Sequence, residues 1–263
     1  MRYLPTDKRE DDPESISKLE GRNRGGKALI VLGGYSAANW AELYASLTPD
    51  VLICANGANS LVYDADFWIC AENMHRTAGL AQKGDVNSIA LMEMFHHDSN
   101  AKTKLVSHWS WDLLTDTTDC LKIRRQGYDI DELPADFTFR KYGQGYLAGW
   151  LLKHKDAGAG VHVGTIGLQA IHHAGMLGCD EIHTIGYDLC FKDHERHHAY
   201  KYPTYKIDKF RKPAMFITYK GLPTQWVWVE SAQYLKELKP YFKRDGIRWT
   251  DHSDGLLQVE GVA

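Results

Sequence analysis

The chain has 263 residues, with 31 Lys and Arg against 34 Asp and Glu for a net charge of −3, and 44% of it is apolar. A chain of this size and composition buries a core without cross-links, which excludes a disulfide-stapled miniprotein, a collagen-like fibre and a wholly disordered chain. The balanced charge excludes a global basic field for nucleic acid, and no apolar run nears the roughly 20 residues of a membrane span. The opening MRYLPTDKREDD lacks the apolar core of a secretory signal, so a cytoplasmic protein is expected. Five scattered cysteines with no CxxC pair indicate neither a zinc knuckle nor a disulfide framework.

Residues 1–27 hold 13 charges of mixed sign and almost no apolar periodicity, which reads as a mobile arm ahead of a single domain over 28–263. At Lys27 the pattern changes to ALIVLGGYSAANWAELYASL. Five apolar residues, two glycines, a Ser, and then Trp40, Leu43, Tyr44 and Leu47 at helical spacing make a strand–turn–helix, stopped by Pro49-Asp50. VLICANGANS is a second strand ending at Asn-Gly, and ADFWICAEN a third ending at an acidic residue. Residues 85–96 fit a helix, and Lys104–His108 a fourth strand. The stretch 109–163, rich in Asp, Thr, Gly and aromatics, gives no assignment and stands as an irregular insert.

Order returns at GTIGLQAIHHAGMLGCDEIHTIGYD. Ile166, Ala170, Ile171, Ala174 and Leu177 mark a helix, Gly178 its stop, and Ile182–Ile185 a strand ending at Gly186-Tyr187-Asp188. Residues 190–223 show no periodic element, and a loop that long in a compact domain is usually functional or mobile. A helix at about 225–243 and a short strand in IRWTDHSDGLL close the chain. Buried apolar strands with polar or glycine-rich ends predict an α/β fold, Rossmann-like, with a mostly parallel sheet flanked by helices.

Candidate site residues cluster at the strand ends. In GGYSAANW, Gly33 and Gly34 let backbone approach a ligand, and the following helix start offers N–H groups to an anion. Ser36 would cap that helix or bond a phosphate; a tight turn with no ligand is the alternative. Asn56-Gly57, Glu72-Asn73 and Gly186-Tyr187-Asp188 end other strands, and in open α/β sheets such ends line one crevice. Amides there read base and ribose edges, and carboxylates bind hydroxyls or a metal.

In FKDHERHHAY, His194, His197 and His198 offer a general base with an ordinary pKa near ~6.5. The same HxxHH spacing would suit a metal only with a further ligand such as Asp193 or Glu195, and a hydrated loop is the third option; no metal site is assigned. His172 and His173 fall on the 166–177 helix, where a structural role is expected. From Lys192 to Lys212 there are seven Lys or Arg against three Asp or Glu, interleaved with tyrosines. Arg196, Lys201, Tyr202 and Tyr205 in this run suit phosphate binding and stacking. The 190–223 excursion is accordingly read as a lid over the donor site, with a static flap stapled by its own aromatics as the alternative.

The motifs ALIVLGGYSAANW, CANGAN, GTIGLQAIHHAGMLGCDEIHTIGYDL and AQYLKELKPYFKRDGIRWTDHSDGLL resemble, in this order, pieces of bacterial sialyltransferases and motility accessory factor glycosyltransferases. The resemblance implies a Rossmann-like glycosyltransferase that binds a nucleotide-activated sugar, typically CMP-linked, with the acceptor open among glycan, protein and modified nucleic acid. It implies that Gly33, Gly34 and Ser36 line the phosphate, Asn56 and Asn73 contact nucleotide or sugar, Thr165 and Gly167 lie under the donor, and Asp188 closes the rim. Two departures stand out: Gly34 and Ala37 fall near the family's Asn and Pro, and GLPTQWVW lacks the family's His before the last helix. Archaeal pterin pyrophosphokinases look similar at the same loop and helix, which implies ATP and magnesium held by Asp66, Glu72 and Asp188. A non-catalytic nucleotide-binding protein on the same fold is the third reading.

Overall fold

A computed structural model describes residues 18–70, 83, 101–107, 120–128, 137–140, 146–152, 161–162, 165–192, 199 and 216–262. Strand β1, Lys27–Val31, leads through a 3-10 turn, Tyr35–Asn39, into helix α1, Trp40–Leu47. Strand β2, Val51–Ala55, is followed by a second 3-10 turn, Asn56–Ser60, and by β3, Phe67–Cys70, and β4, Thr103–Ser107. Strands β5, Cys120–Tyr128, β6, Tyr146–Leu152, and β7, Val161–His162, precede helix α2, Ile166–Met176, and strand β8, Glu181–Ile185. A hairpin of β9, Phe216–Tyr219, and β10, Leu222–Gln225, runs into helix α3, Trp226–Arg244. Strand β11, Arg248–Asp251, and the short helix α4, Leu256–Val259, end the described chain.

The main sheet has the order β11-β8-β1-β2-β3-β4-β5-β6-β7. Every neighbouring pair from β11 to β6 is parallel, and β7 joins β6 antiparallel. The α/β, mostly parallel architecture expected from the sequence is therefore present. Its central strands read as unbroken apolar runs because both faces are covered. Ala28, Ile30, Val51, Ile53, Phe67 and Ile69 face α2 and α3 on one side. Leu29, Val31, Leu52, Cys54, Trp68 and Cys70 face the other side, where Trp40, Leu43 and Leu47 of α1 pack. This alternation is the two-residue period of a strand, expressed on two cores at once.

The chain leaves β1 toward β2 and ends by adding β8 and β11 on the opposite flank. The connection after β1 places α1 on one face, and the chain after β8 places α3 on the other. The boundary between β1 and β8 is thus a topological switch point, where open α/β sheets form a ligand crevice beyond the strand ends.

Three expectations change. Residues 18–26, read as part of the charged arm, pack as turns against the end of α2. Leu19 is buried, and the N–H groups of Gly21, Asn23 and Gly25 donate to the carbonyls of Met176, Leu177 and Gly178. A helix end leaves carbonyls without intrahelical partners, and this segment supplies the donors. The 109–163 insert contributes β5, β6 and β7, which extend the sheet. Polar residues interrupt CLKIRRQGY, so it carries no apolar run to announce a strand. In the 190–223 excursion, residues 193–198 and 200–215 lie outside the described residues, but its end forms the β9–β10 hairpin around Lys220-Gly221, both at positive φ. Two consecutive left-handed residues match the twist of a tight hairpin. The helix expected over 85–96 lies outside the described residues, as do residues 1–17 of the arm.

Candidate functional site

The turns after β1 and β8 are locked to each other across the switch point. Leu32 N–H donates to Ile185 O (2.8 Å) and Gly34 N–H to Gly186 O (2.9 Å), extending the ladder past both strands. Ser36 is buried; its Oγ accepts the Gly186 N–H at 3.0 Å, and its own N–H donates to Asp188 Oδ2 at 3.0 Å. Gly34 is obligatory on space alone, since a Cβ there would stand 2.1 Å from Asp188 Oδ2 and 2.5 Å from Gly186 O. Burial raises the Asp188 carboxyl above the ordinary Asp range, while its bonds to Ser36 pull it back. The structure thus brings Gly34, Ser36 and Asp188 together as expected, with a difference. The Ser36 N–H, read as a phosphate donor, is held by the chain's own carboxylate.

A second polar layer supports this one. Tyr187, between Gly186 and Asp188, is buried; its N–H donates to Ser253 Oγ at 2.8 Å, and its hydroxyl bonds Thr165 Oγ1. Gly167 makes room for the Tyr187 ring, whose carbons lie 2.6–2.8 Å from where a Cβ would sit. Thr165 and Gly167 are therefore at the same rim as Asp188, linked through Tyr187. Thr165 uses its hydroxyl on Tyr187 and gives α2 no side-chain cap. Ser253 Oγ donates to Asp251 Oδ1 at 2.9 Å, which also accepts from Thr184 Oγ1 at 2.6 Å. Burial, assisted by the charge of Asp188, pushes the Asp251 carboxyl up to about 7. Asp188 anchors the chain end as well: its carbonyl accepts the Leu256 N–H at 2.7 Å, and Gly255 leaves the space this approach needs.

The loop after β1 meets two further residues. Lys192 Nζ stands 5.7 Å from the centre of the Tyr35 ring, and Ala199 N–H donates to Gly33 O at 3.1 Å. Tyr35 Oη donates to Asp254 O at 3.3 Å and lies 3.7 Å from Cys190 Sγ. Asn56 and Gly57 sit at the end of β2, on the same rim. Asn56 is left-handed at φ 47°, and its carbonyl accepts the Trp68 Nε1–H at 2.9 Å.

Glu72, Asn73, His194, Arg196, His197, His198, Lys201, Tyr202 and Tyr205 lie outside the described residues. The magnesium trio of the pyrophosphokinase reading does not assemble as expected. Asp66 precedes β3, where it accepts from Leu52 N–H and Lys102 Nζ, whereas Asp188 follows β8. In a parallel sheet these are opposite ends. Among the described residues no group of three or more His, Cys, Asp or Glu could hold a metal ion, and no helix is long and apolar enough to cross a membrane. The sequence reading missed Asp251 and Ser253. Their one signal was the polar end of the last strand, the same rule that found the other strand ends. No family model, no curated protein and no solved structure matches the chain.

Proposed function

We propose that the chain is a glycosyltransferase that binds a nucleotide-activated sugar, of the CMP-linked kind, at the rim between β1 and β8. The observation that carries this reading is the position of Lys192 and Ala199. These residues bracket the segment bearing His194, His197 and His198, and both meet the loop after β1. A base drawn from that segment would serve a donor bound beside Gly33 and Tyr35. The basic side chains of residues 196–212 would stabilise the departing phosphate. Asp188, already holding the Ser36 N–H, suits hydroxyl recognition better than phosphate contact. A His would take the acceptor's proton as the acceptor displaces the nucleotide at the anomeric carbon.

A thermal-shift panel of CMP, UDP, ADP and their sugar conjugates tests the binding step. At least one is expected to raise Tm, since a ligand at 100 times its Kd stabilises by about 2.7 kcal/mol. No shift with any of them refutes the proposal. With a donor in hand, replacing the base among His194, His197 and His198 by Ala should lower kcat by about 10²–10⁴. Full turnover in all three variants would leave the binding site and remove the His mechanism.

A further inference from the structure

Strand β8 presents Glu181, His183 and Ile185 on the α1 side of the sheet and Ile182 and Thr184 on the other. The register sets His183 beside Thr250 of β11, and the next residue on the same face is His252, just past the strand end. The two imidazoles meet there, with His183 Nδ1 2.9 Å from His252 Nε2. An N–H···N bond between imidazoles needs one nitrogen with a free lone pair, so at least one of the rings must be neutral. When both rings are protonated, both nitrogens carry hydrogen, and a bond becomes a contact between two cations.

The surrounding charges relieve that contact only in part: burial, His252 and Lys27 oppose a charged His183, while Glu181 favours it. The one carboxylate near the pair among the described residues is Glu181, whose Oε2 stands 3.9 Å from His183 Nε2. Glu181 is already shared by Arg248 of β11 and by Lys27 of β1, whose Nζ is 3.7 Å away. Asp251 points its carboxyl to the other face, into Thr184 and Ser253. Burial lowers both imidazoles below the ordinary His value, and their mutual charge lowers His183 further.

We propose that the His183–His252 bond is a proton-sensitive clasp on the outer edge of the sheet, closed at neutral pH and opened when both rings are protonated. The clasp controls more than the edge. His252 N–H donates to Thr184 O at 2.8 Å, and the next two residues hold the site: Ser253 the Tyr187 N–H, Asp254 the Tyr35 hydroxyl. Opening would loosen the floor on which Asp188 and the loop after β1 rest. The sign follows from the lowered values: the clasp is intact above ~6.5 and is lost as pH falls below it. This inference does not depend on the nucleotide-sugar reading.

Amide hydrogen exchange on the full chain, at pH 7.5 and 5.5 and corrected for intrinsic rates, tests it in wild type, His183→Gln and His252→Gln. Asp251, raised to about 7 and bonded to Ser253, titrates in this range in all three proteins, so the clasp is read from the difference between them. On going to the lower pH, the Tyr187 and Ser253 amides of wild type should lose about tenfold protection relative to either variant, the equivalent of one pKa unit. An equal change in wild type and variants overturns the clasp. If a variant does not fold, NMR titration of the wild-type imidazoles decides: both rings should gain their protons below pH ~6.5, the second more reluctantly than the first. Independent titration of either ring at or above that value overturns it.

Discussion

At the residue scale, Gly34 and Gly221 show two different demands for glycine. Gly34 has an ordinary φ, but a methyl there would collide with Asp188 and the Gly186 carbonyl. Gly221 has nothing within 4 Å and a φ of 82°. Gly34→Ala should therefore cost about 2–3 kcal/mol by overpacking and loss of the Ser36–Asp188 bond. Gly221→Ala should cost about 1–2 kcal/mol of backbone strain alone. Urea unfolding measures both; equal costs would mean that the Gly34 turn relaxes freely. Asp251 makes a pH prediction. Its carboxyl rises from 3.8 to about 7, so the folded chain holds a proton the unfolded chain releases, and this contribution is lost as pH climbs toward 7. Asp251→Asn never ionises and keeps an oxygen for Thr184 and Ser253. Its stability relative to wild type should rise between pH 5 and 8, by at most about 1.4 kcal/mol per unit. His173, pushed down to about 3 by burial, acts with the opposite sign but is common to both proteins and cancels in the difference. A relative stability that is flat or falling would show that Asp251 is ionised in the fold.

At the element scale, helix α2 is held at both ends by segments remote in sequence: Tyr187 covers its start, and residues 18–26 cover its finish. Leu19 is the apolar anchor of the second contact. Leu19→Ala should destabilise by about 2–3 kcal/mol, and urea unfolding showing no change would mean that the backbone bonds alone seat the segment. Elements with a strong local signature were legible in the sequence: β1 with its glycines, α2 with its apolar spacing and Gly178 stop, β8 with its Gly-Tyr-Asp end. Those whose pattern depends on a distant neighbour were not. CLKIRRQGY becomes a strand by pairing with β4, and TDHSD becomes part of the site only because β11 lies beside β8. The convergence of the loop after β1 and the end of β8 was anticipated from the strand-end rule, but that the Asp188 carboxyl would itself hold the Ser36 N–H could not be read from spacing.

At the scale of the whole molecule, the sheet's centre joins residues far apart in the chain: β1 at 27–31 pairs with β8 at 181–185. The site sits on that seam, so it is completed only when the last third of the chain has docked. The thiols offer a way to watch this. Cys54, Cys70, Cys179 and Cys190 are buried thiols, with Cys54 and Cys70 in the core under α1, Cys179 past the end of α2, and Cys190 beside Tyr35 at the rim. Burial pushes Cys54 and Cys190 above the usual thiol range and Cys179 to about 12, so these three are not ready thiolates in the folded chain. The protein therefore carries its own set of chemical stopwatches. In pulsed alkylation read by mass spectrometry, Cys190 should be modified first, as rim openings precede opening of the sheet, and Cys54 last, at the rate of global unfolding. Simultaneous modification of all four would mean that the rim and the sheet come apart together.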